Sequence, residues 1–148
     1  MNVQTLQQLL NEKVPLTRSM GVQVRRCDRE EVRLRAPLDL NKNHKNTVFG
    51  GSLTGSQALC CWAWIMNLLE EEGLQAHVVI QESHNRFLKP VDRDFEASCE
   101  APEPKNLERF LKILRQKKRA RLALTSEIVN QGERAVIFEG QYVAQLKD

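Results

Sequence analysis

The apolar positions of this chain change their spacing several times along its length. From Thr5 to Val14 they recur at helical intervals, with Leu6, Leu9 and Leu10 on one stripe, which predicts a short helix. Pro15 and Gly21 break the chain after it. Val22 and Val24, then Val32 and Leu34, alternate with polar residues on either side of Asp28-Arg29-Glu30, the pattern of a hairpin. The stretch from Pro37 to Phe49 is polar, contains Asn41, Asn43 and Asn46, and reads as a loop of functional length.

The second half is built around one apolar segment. Gly50-Gly51-Ser52 opens a long helix that runs to about Glu72, with Ser52 as the expected N-cap and Gly73 as the expected stop. Its middle, from Leu53 to Met66, is apolar on nearly every side, so it must be buried on most sides. Glu70, Glu71 and Glu72 oppose the helix dipole, which predicts an exposed C-terminal end. Trp62 and Trp64 are two apart and cannot share a face, so one is expected in the core and the other outside it.

The C-terminal half of the chain supplies the wrapping. His77 to Leu88, Asp94 to Ala101, Arg119 to Val129 and Arg134 to Ala144 read as strands, and Leu107 to Leu114 is helix-like. Leu122, Leu124 and Ile128 share one face, as do Val136, Phe138 and Tyr142. A helix followed by antiparallel strands is an α+β pattern. The simplest architecture is an antiparallel sheet wrapped around one long central helix, in a single domain over residues 1–148.

Charge and composition narrow the function. The net charge is +3, from 22 basic and 19 acidic residues, which does not call for nucleic acid as a partner. The N-terminus lacks a basic segment followed by an apolar run, so no signal peptide is expected. The uncharged stretch from Ser52 to Leu69 contains Thr54, Ser56, Gln57 and Asn67 and is short for a membrane span. Cys27, Cys60, Cys61 and Cys99 show no C-x-x-C spacing, so no metal and no cofactor is called for. They fit small core residues in a reducing compartment, and a cytoplasmic location is the expectation.

Two segments carry a resemblance. Asn41-Lys-Asn43-His44-Lys-Asn-Thr47-Val-Phe49-Gly50-Gly51-Ser52-Leu53 leads into the apolar helix, and Val79-Ile-Gln-Glu82-Ser-His84-Asn-Arg86-Phe-Leu-Lys-Pro90 forms a strand. With Arg119-Ala-Arg121-Leu and Phe138-Glu-Gly140-Gln-Tyr142-Val-Ala144, this ordered set resembles the hot-dog thioesterase superfamily. It is most similar to a thioesterase-like family that also occurs as the C-terminal domain of some bacterial acetyltransferase-like proteins. The resemblance implies the hot-dog fold and a homodimer or dimer of dimers whose sheets join edge to edge. It also implies a site at the subunit interface near the start of the central helix. The substrate implied is acyl-CoA or an acyl-carrier-protein thioester, with the acyl chain along the helix and the CoA phosphates at the surface.

Thioester hydrolysis needs a polarised carbonyl and an activated water. A helix N-terminus offers free N–H groups and a positive dipole end, so Gly51 is the expected oxyanion donor, with Gly50 and Ser52 beside it. The same glycines also suit a plain loop-to-helix turn. Thr54, Ser56 and Gln57 put polar groups on the first turns, where a thioester head would lie; they also suit mutual hydrogen bonding. The resemblance places an Asp or Glu seven residues beyond the second glycine, but here that position is Ala58, and the histidine often found before the pair is Phe49. Asn43 matches an asparagine that in relatives holds the water or the thioester.

Glu82 and His84, two apart on one strand, share a face and form a candidate base. A surface or interface ion cluster that also includes Arg86 is the plainer alternative. His44 is a second candidate base, and His77 reads as a strand-edge residue. The run Arg115, Lys117, Lys118, Arg119, Arg121 suits CoA phosphates, with Lys117 and Arg119 foremost, or a solvated strand edge. The expected activity is acyl thioester hydrolysis. The missing helix carboxylate leaves acyl-CoA binding without turnover as the alternative, ahead of a dehydratase.

Overall fold

A computed structural model describes all residues from Met1 to Asp148. Helix α1 (Val3–Lys13) starts at Asn2, whose side chain accepts the N–H of Thr5 at 2.8 Å, and it buries Leu6 and Leu10. The one-turn helix α2 (Leu16–Ser19) leads into strands β1 (Gln23–Cys27) and β2 (Glu31–Ala36). Asp28 sets the turn between them, because its carboxylate accepts the N–H groups of Glu30 and Glu31 at 2.8 and 2.9 Å. The long helix α3 (Gly50–Glu71) comes next, then β3 (Ala76–Phe87), β4 (Phe95–Glu100), helix α4 (Pro104–Lys117), β5 (Arg119–Asn130) and β6 (Glu133–Leu146).

The strands form one antiparallel sheet in the order β1-β2-β4-β5-β6-β3, curled around α3. Cys60, Cys61, Ala63, Ile65 and Leu68 of α3 are fully buried against its inner face, which presents Leu122, Leu124, Ile128, Val136, Phe138 and Tyr142 as the alternation predicts. This is the hot-dog architecture. The four thiols are free, and burial pushes those of Cys60 and Cys61 well up, consistent with inert core residues. Trp64 is the core tryptophan; Trp62 is half-buried and its indole N–H donates to the Val78 carbonyl at 2.9 Å.

The ends of α3 correct one expectation and refine another. Phe49, extended, is the N-cap, and Ser52 lies inside the first turn with its N–H on the Phe49 carbonyl at 2.9 Å. Both glycines are therefore already helical, and no side chain caps the helix. At the other end Gly73 adopts φ +67°, and the bonds Gly73 N–H to Glu70 O (3.0 Å) and Leu74 N–H to Leu69 O (2.8 Å) close a Schellman turn. Glu70 and Glu71 are exposed, but the end is not simply left to water. Arg29 pairs with Glu71 and Glu72 at 3.0 and 2.9 Å, and Arg115 reaches Glu72, so two cations offset the charge that the dipole disfavours.

The helix-like run Leu107 to Leu114 is the centre of α4, which buries Phe110, Leu111 and Leu114. The β4–β5 ladder holds only Ala97–Ile128, Ser98–Glu127 and Cys99–Ser126, and α4 packs beside the remainder of β5.

Strand β3 is an edge strand and is paired only with β6. Its register slips between Ile80 and Glu82, leaving Gln81 as a bulge. Before the bulge, Ala76, Val78 and Ile80 face α3. After it, Ser83, Asn85 and Phe87 do, opposite Gly140, Phe138 and Val136 of β6.

Candidate active site

The loop that feeds α3 is held by its asparagines. Asn41 is buried, and its amide donates to the carbonyls of Met20 and Pro37 at 2.9 and 2.8 Å. The Phe49 N–H returns to the Asn41 carbonyl at 2.7 Å. Asn43 closes a tight turn: its Oδ1 accepts the N–H groups of Lys45 (2.9 Å) and Thr47 (3.2 Å), and its Nδ2 donates to the Thr47 hydroxyl at 2.9 Å. These bonds fix where the chain enters the helix.

At that entry the N–H groups of Gly50 and Gly51 have no acceptor in the chain. Gly51 is exposed, and a β-carbon there would fall 2.4 Å from the ring of Phe49. A β-carbon at Gly50 would meet the Phe87 ring at 3.7 Å. Phe49 and Phe87 are 59% and 56% exposed, so two aromatic rings stand in water beside a pair of free N–H groups, as expected of a surface that a ligand or partner covers. On the Phe87 side of the helix start opens a cleft of about 300 Å³, lined mainly by Val48, Gly50, Leu53, Phe87, Leu88 and Val91, with Lys89 at its margin. An apolar cleft beside a positive helix end fits a ligand with an apolar arm and an electron-rich oxygen.

Deeper along α3, Gln57 is fully buried. Its Nε2 donates to the carbonyls of Ser126 (3.1 Å) and Val136 (3.4 Å), and its Oε1 faces the Nδ2 of Asn85 at 3.5 Å. The expected substrate contact from Gln57 is thus replaced by a tie between helix and sheet. The buried Ser126 hydroxyl beside it has no partner. Ala58 is half-buried, and its carbonyl accepts the Tyr142 hydroxyl at 2.7 Å.

The remaining sequence-predicted residues lie elsewhere. Glu82 and His84 do share a face, but the bulge at Gln81 turns that face away from α3, opposite Gln141 and Glu139 of β6. They line an outer-face cleft of about 420 Å³ with Thr125 and Glu139. That cleft shares no residue with the one Gly50 lines, so the structure does not bring the pair together with the helix start. His44 and His77 are exposed. Lys117 and Arg119 are exposed at the α4–β5 junction; Arg119 pairs with Gln145, which pairs with His77, at the opposite end of β3 from Phe87. Phe49 and Phe87, beside the two glycines, are residues of this region that sequence reasoning missed. Phe49 was legible only as a missing histidine, and the faces of Asn85 and Phe87 are set by the bulge.

Fold and site together define a hot-dog protein with an open helix-start cleft. Comparison with known proteins makes this specific. The family described as "Putative thioesterase (yiiD_Cterm)" matches residues 3–146, and the chain belongs to that family. Among solved structures, a protein of unknown function from Chlorobaculum tepidum superposes with TM-score 0.93 at 28% identity, covering 98% of this chain and 94% of that one. A structure titled "putative thioesterase" from Shewanella oneidensis gives 0.84 at 23% identity, covering 97% and 96%. The E. coli PaaI protein from the phenylacetic acid degradation operon gives 0.70 at 13% identity, covering 99% and 94%, a likeness of fold alone.

Proposed function

We propose that this chain is an acyl thioesterase that hydrolyses acyl-CoA or acyl-carrier-protein thioesters at the start of α3. The observation that carries the reading is the pair of acceptor-free N–H groups of Gly50 and Gly51 at a helix start whose Gly50 lines an apolar cleft. The thioester carbonyl oxygen accepts the Gly51 N–H, so the charge that develops when water attacks falls on a donor already in place. The acyl arm lies against Phe87, Leu88 and Leu53. Asn43 acts by holding the loop, since its amide already bonds within it.

The working unit in this reading is a two-fold dimer formed through β3. That strand lacks a partner on its outer edge, and Val79 and Ile80 are 61% and 43% exposed on it. The apolar part of that free edge is the segment Val78–Ile80, before the bulge and the charged residues that follow it. Antiparallel pairing of two β3 strands brings the Arg119 end of one subunit toward the Phe87 end of the other. Lys117 and Arg119 of the second copy are then available to CoA phosphates.

A second reading is favoured by one observation. Ala58 occupies the position where a helix carboxylate was expected, and α3 holds no acidic residue before Glu70. A binding module on the same fold would hold acyl-CoA without turnover. Thiol release from purified protein decides between the two: release that depends on Gly51 supports the enzyme, and saturable binding with no release supports the module.

A further inference from the structure

The amide of Gln57 has its orientation forced. Two backbone carbonyls, of Ser126 on β5 and Val136 on β6, face one end of it. Only the NH₂ end can satisfy both, because the oxygen carries no hydrogen. Oε1 is therefore turned toward β3, where it meets Asn85 at 3.5 Å. Asn85 must in turn present its own NH₂ to that oxygen, since two amide oxygens facing each other would repel. Its Oδ1 is left over, without a partner in the chain.

Asn85 is the one residue of β3 beyond Val78 that is half-buried; the others are exposed. It lies on the face toward α3, one step along that face from Phe87, whose ring stands against Gly50. The strand thus runs beside the first turns of α3, and Asn85 adjoins the cleft-lining Phe87 along it. No carboxylate approaches this inner surface from the facing strands. The β6 residues opposite Ser83, Asn85 and Phe87 are Gly140, Phe138 and Val136, and α3 holds no acidic residue before Glu70.

We propose that Asn85 is a water-positioning residue of this site, with Gln57 fixing the direction of its amide. The proposal rests on the thioesterase reading. Oδ1 of Asn85 accepts one hydrogen of the attacking water while the thioester carbonyl sits on the Gly51 N–H. The water oxygen bonds to the carbonyl carbon and the C–S bond breaks. The proton released by the water passes to solvent, and the leaving thiolate takes one up from solvent. An amide orients the water but does not take its proton. Turnover therefore shows no acid limb from a carboxylate at this position.

The test is steady-state thiol release from acyl-CoA by the full chain, with Asn85→Ala and Asn85→Asp, each checked for folding by thermal melting. Asn85→Ala is expected to lower kcat roughly 10- to 100-fold with KM nearly unchanged. Asn85→Asp is expected to turn over faster than Asn85→Ala but below the parent, because it loses the NH₂ that meets Gln57 Oε1, and to add an acid limb in the carboxylate range, because the new group acts on the water only when ionised. That limb is a signature that a purely structural asparagine would not produce. Gln57→Leu, which frees the Asn85 amide to rotate, is expected to lower kcat in the same sense. Full kcat in Asn85→Ala, or loss in that variant with no new limb in a folded Asn85→Asp, overturns the proposal and leaves the thioesterase reading standing. No turnover by the unaltered chain overturns the thioesterase reading itself.

Discussion

The ring of Phe49 closes over Gly51, so that a β-carbon at Gly51 would come within 2.4 Å of it. Phe49 is exposed, so its ring is free to swing aside, and the contact is a constraint on the site more than on the fold. Gly51→Ala is expected to fold and to lose activity about tenfold, because the displaced ring disturbs the cleft. Adding Phe49→Ala should return part of that loss. Thiol release across the double-mutant cycle measures the coupling; strictly additive effects would show that ring and glycine act separately.

Gly140 offers the opposite case. A β-carbon there would lie 2.7 Å from the Phe138 ring and 2.8 Å from that of Tyr142, both fully buried. Neither ring has room to move, so Gly140→Ala should destabilise the chain by about 1–3 kcal/mol through overpacking. Denaturant unfolding reads this directly, as a lower midpoint.

Acid should weaken the tie between α3, the β1–β2 turn and α4. Hydrogen bonds from Arg115 and then Arg29 hold the Glu72 carboxyl below its ordinary range. A carboxylate with a depressed pKa in the folded state contributes stability above its unfolded value of about 4.3. That contribution is lost as the pH falls through the folded value. Glu72→Gln should therefore lower Tm at pH 7, with the gap to the parent closing in strong acid and shrinking in high salt. The effect should be of order 1 kcal/mol, since both arginines are partly in water.

The dimer reading makes a separate prediction. Val79→Lys puts charge on the outer face beside the free edge of β3 and should yield a folded monomer by sedimentation. If the site needs both subunits, thiol release should fall with it. A parent chain that sediments as a monomer would contradict this part of the account.

Much of the fold was legible because it arises from short-range pattern. The apolar run from Leu53 to Met66 demanded a wrapper, and the alternations over Leu122–Ile128 and Val136–Tyr142 provided one. Helix α4 was visible only in part, since its role beside β5 depends on where β4 ends. The cap at Ser52 was misplaced because glycines at 50 and 51 entered the helix, which propensity disfavours. The largest loss was at the site. Sequence alternation correctly grouped Glu82 with His84 but could not say which way they faced. One extra residue at Gln81 inverts the pleat, sending that pair outward and Asn85 inward. A bulge leaves no composition signal in a strand already mixed in polarity.

The central claim is that the Gly51 N–H polarises a thioester carbonyl. It is tested most directly by thiol release from acyl-CoAs of increasing chain length, comparing the parent chain with Gly51→Pro. Proline is tolerated in a first helical turn and deletes that N–H, and Gly51→Ala, which meets the same Phe49 ring but keeps the N–H, is the control for the added carbons. The account predicts clear turnover by the parent and a loss of roughly 100-fold or more in a folded Gly51→Pro variant. Turnover that survives the substitution undiminished would contradict it.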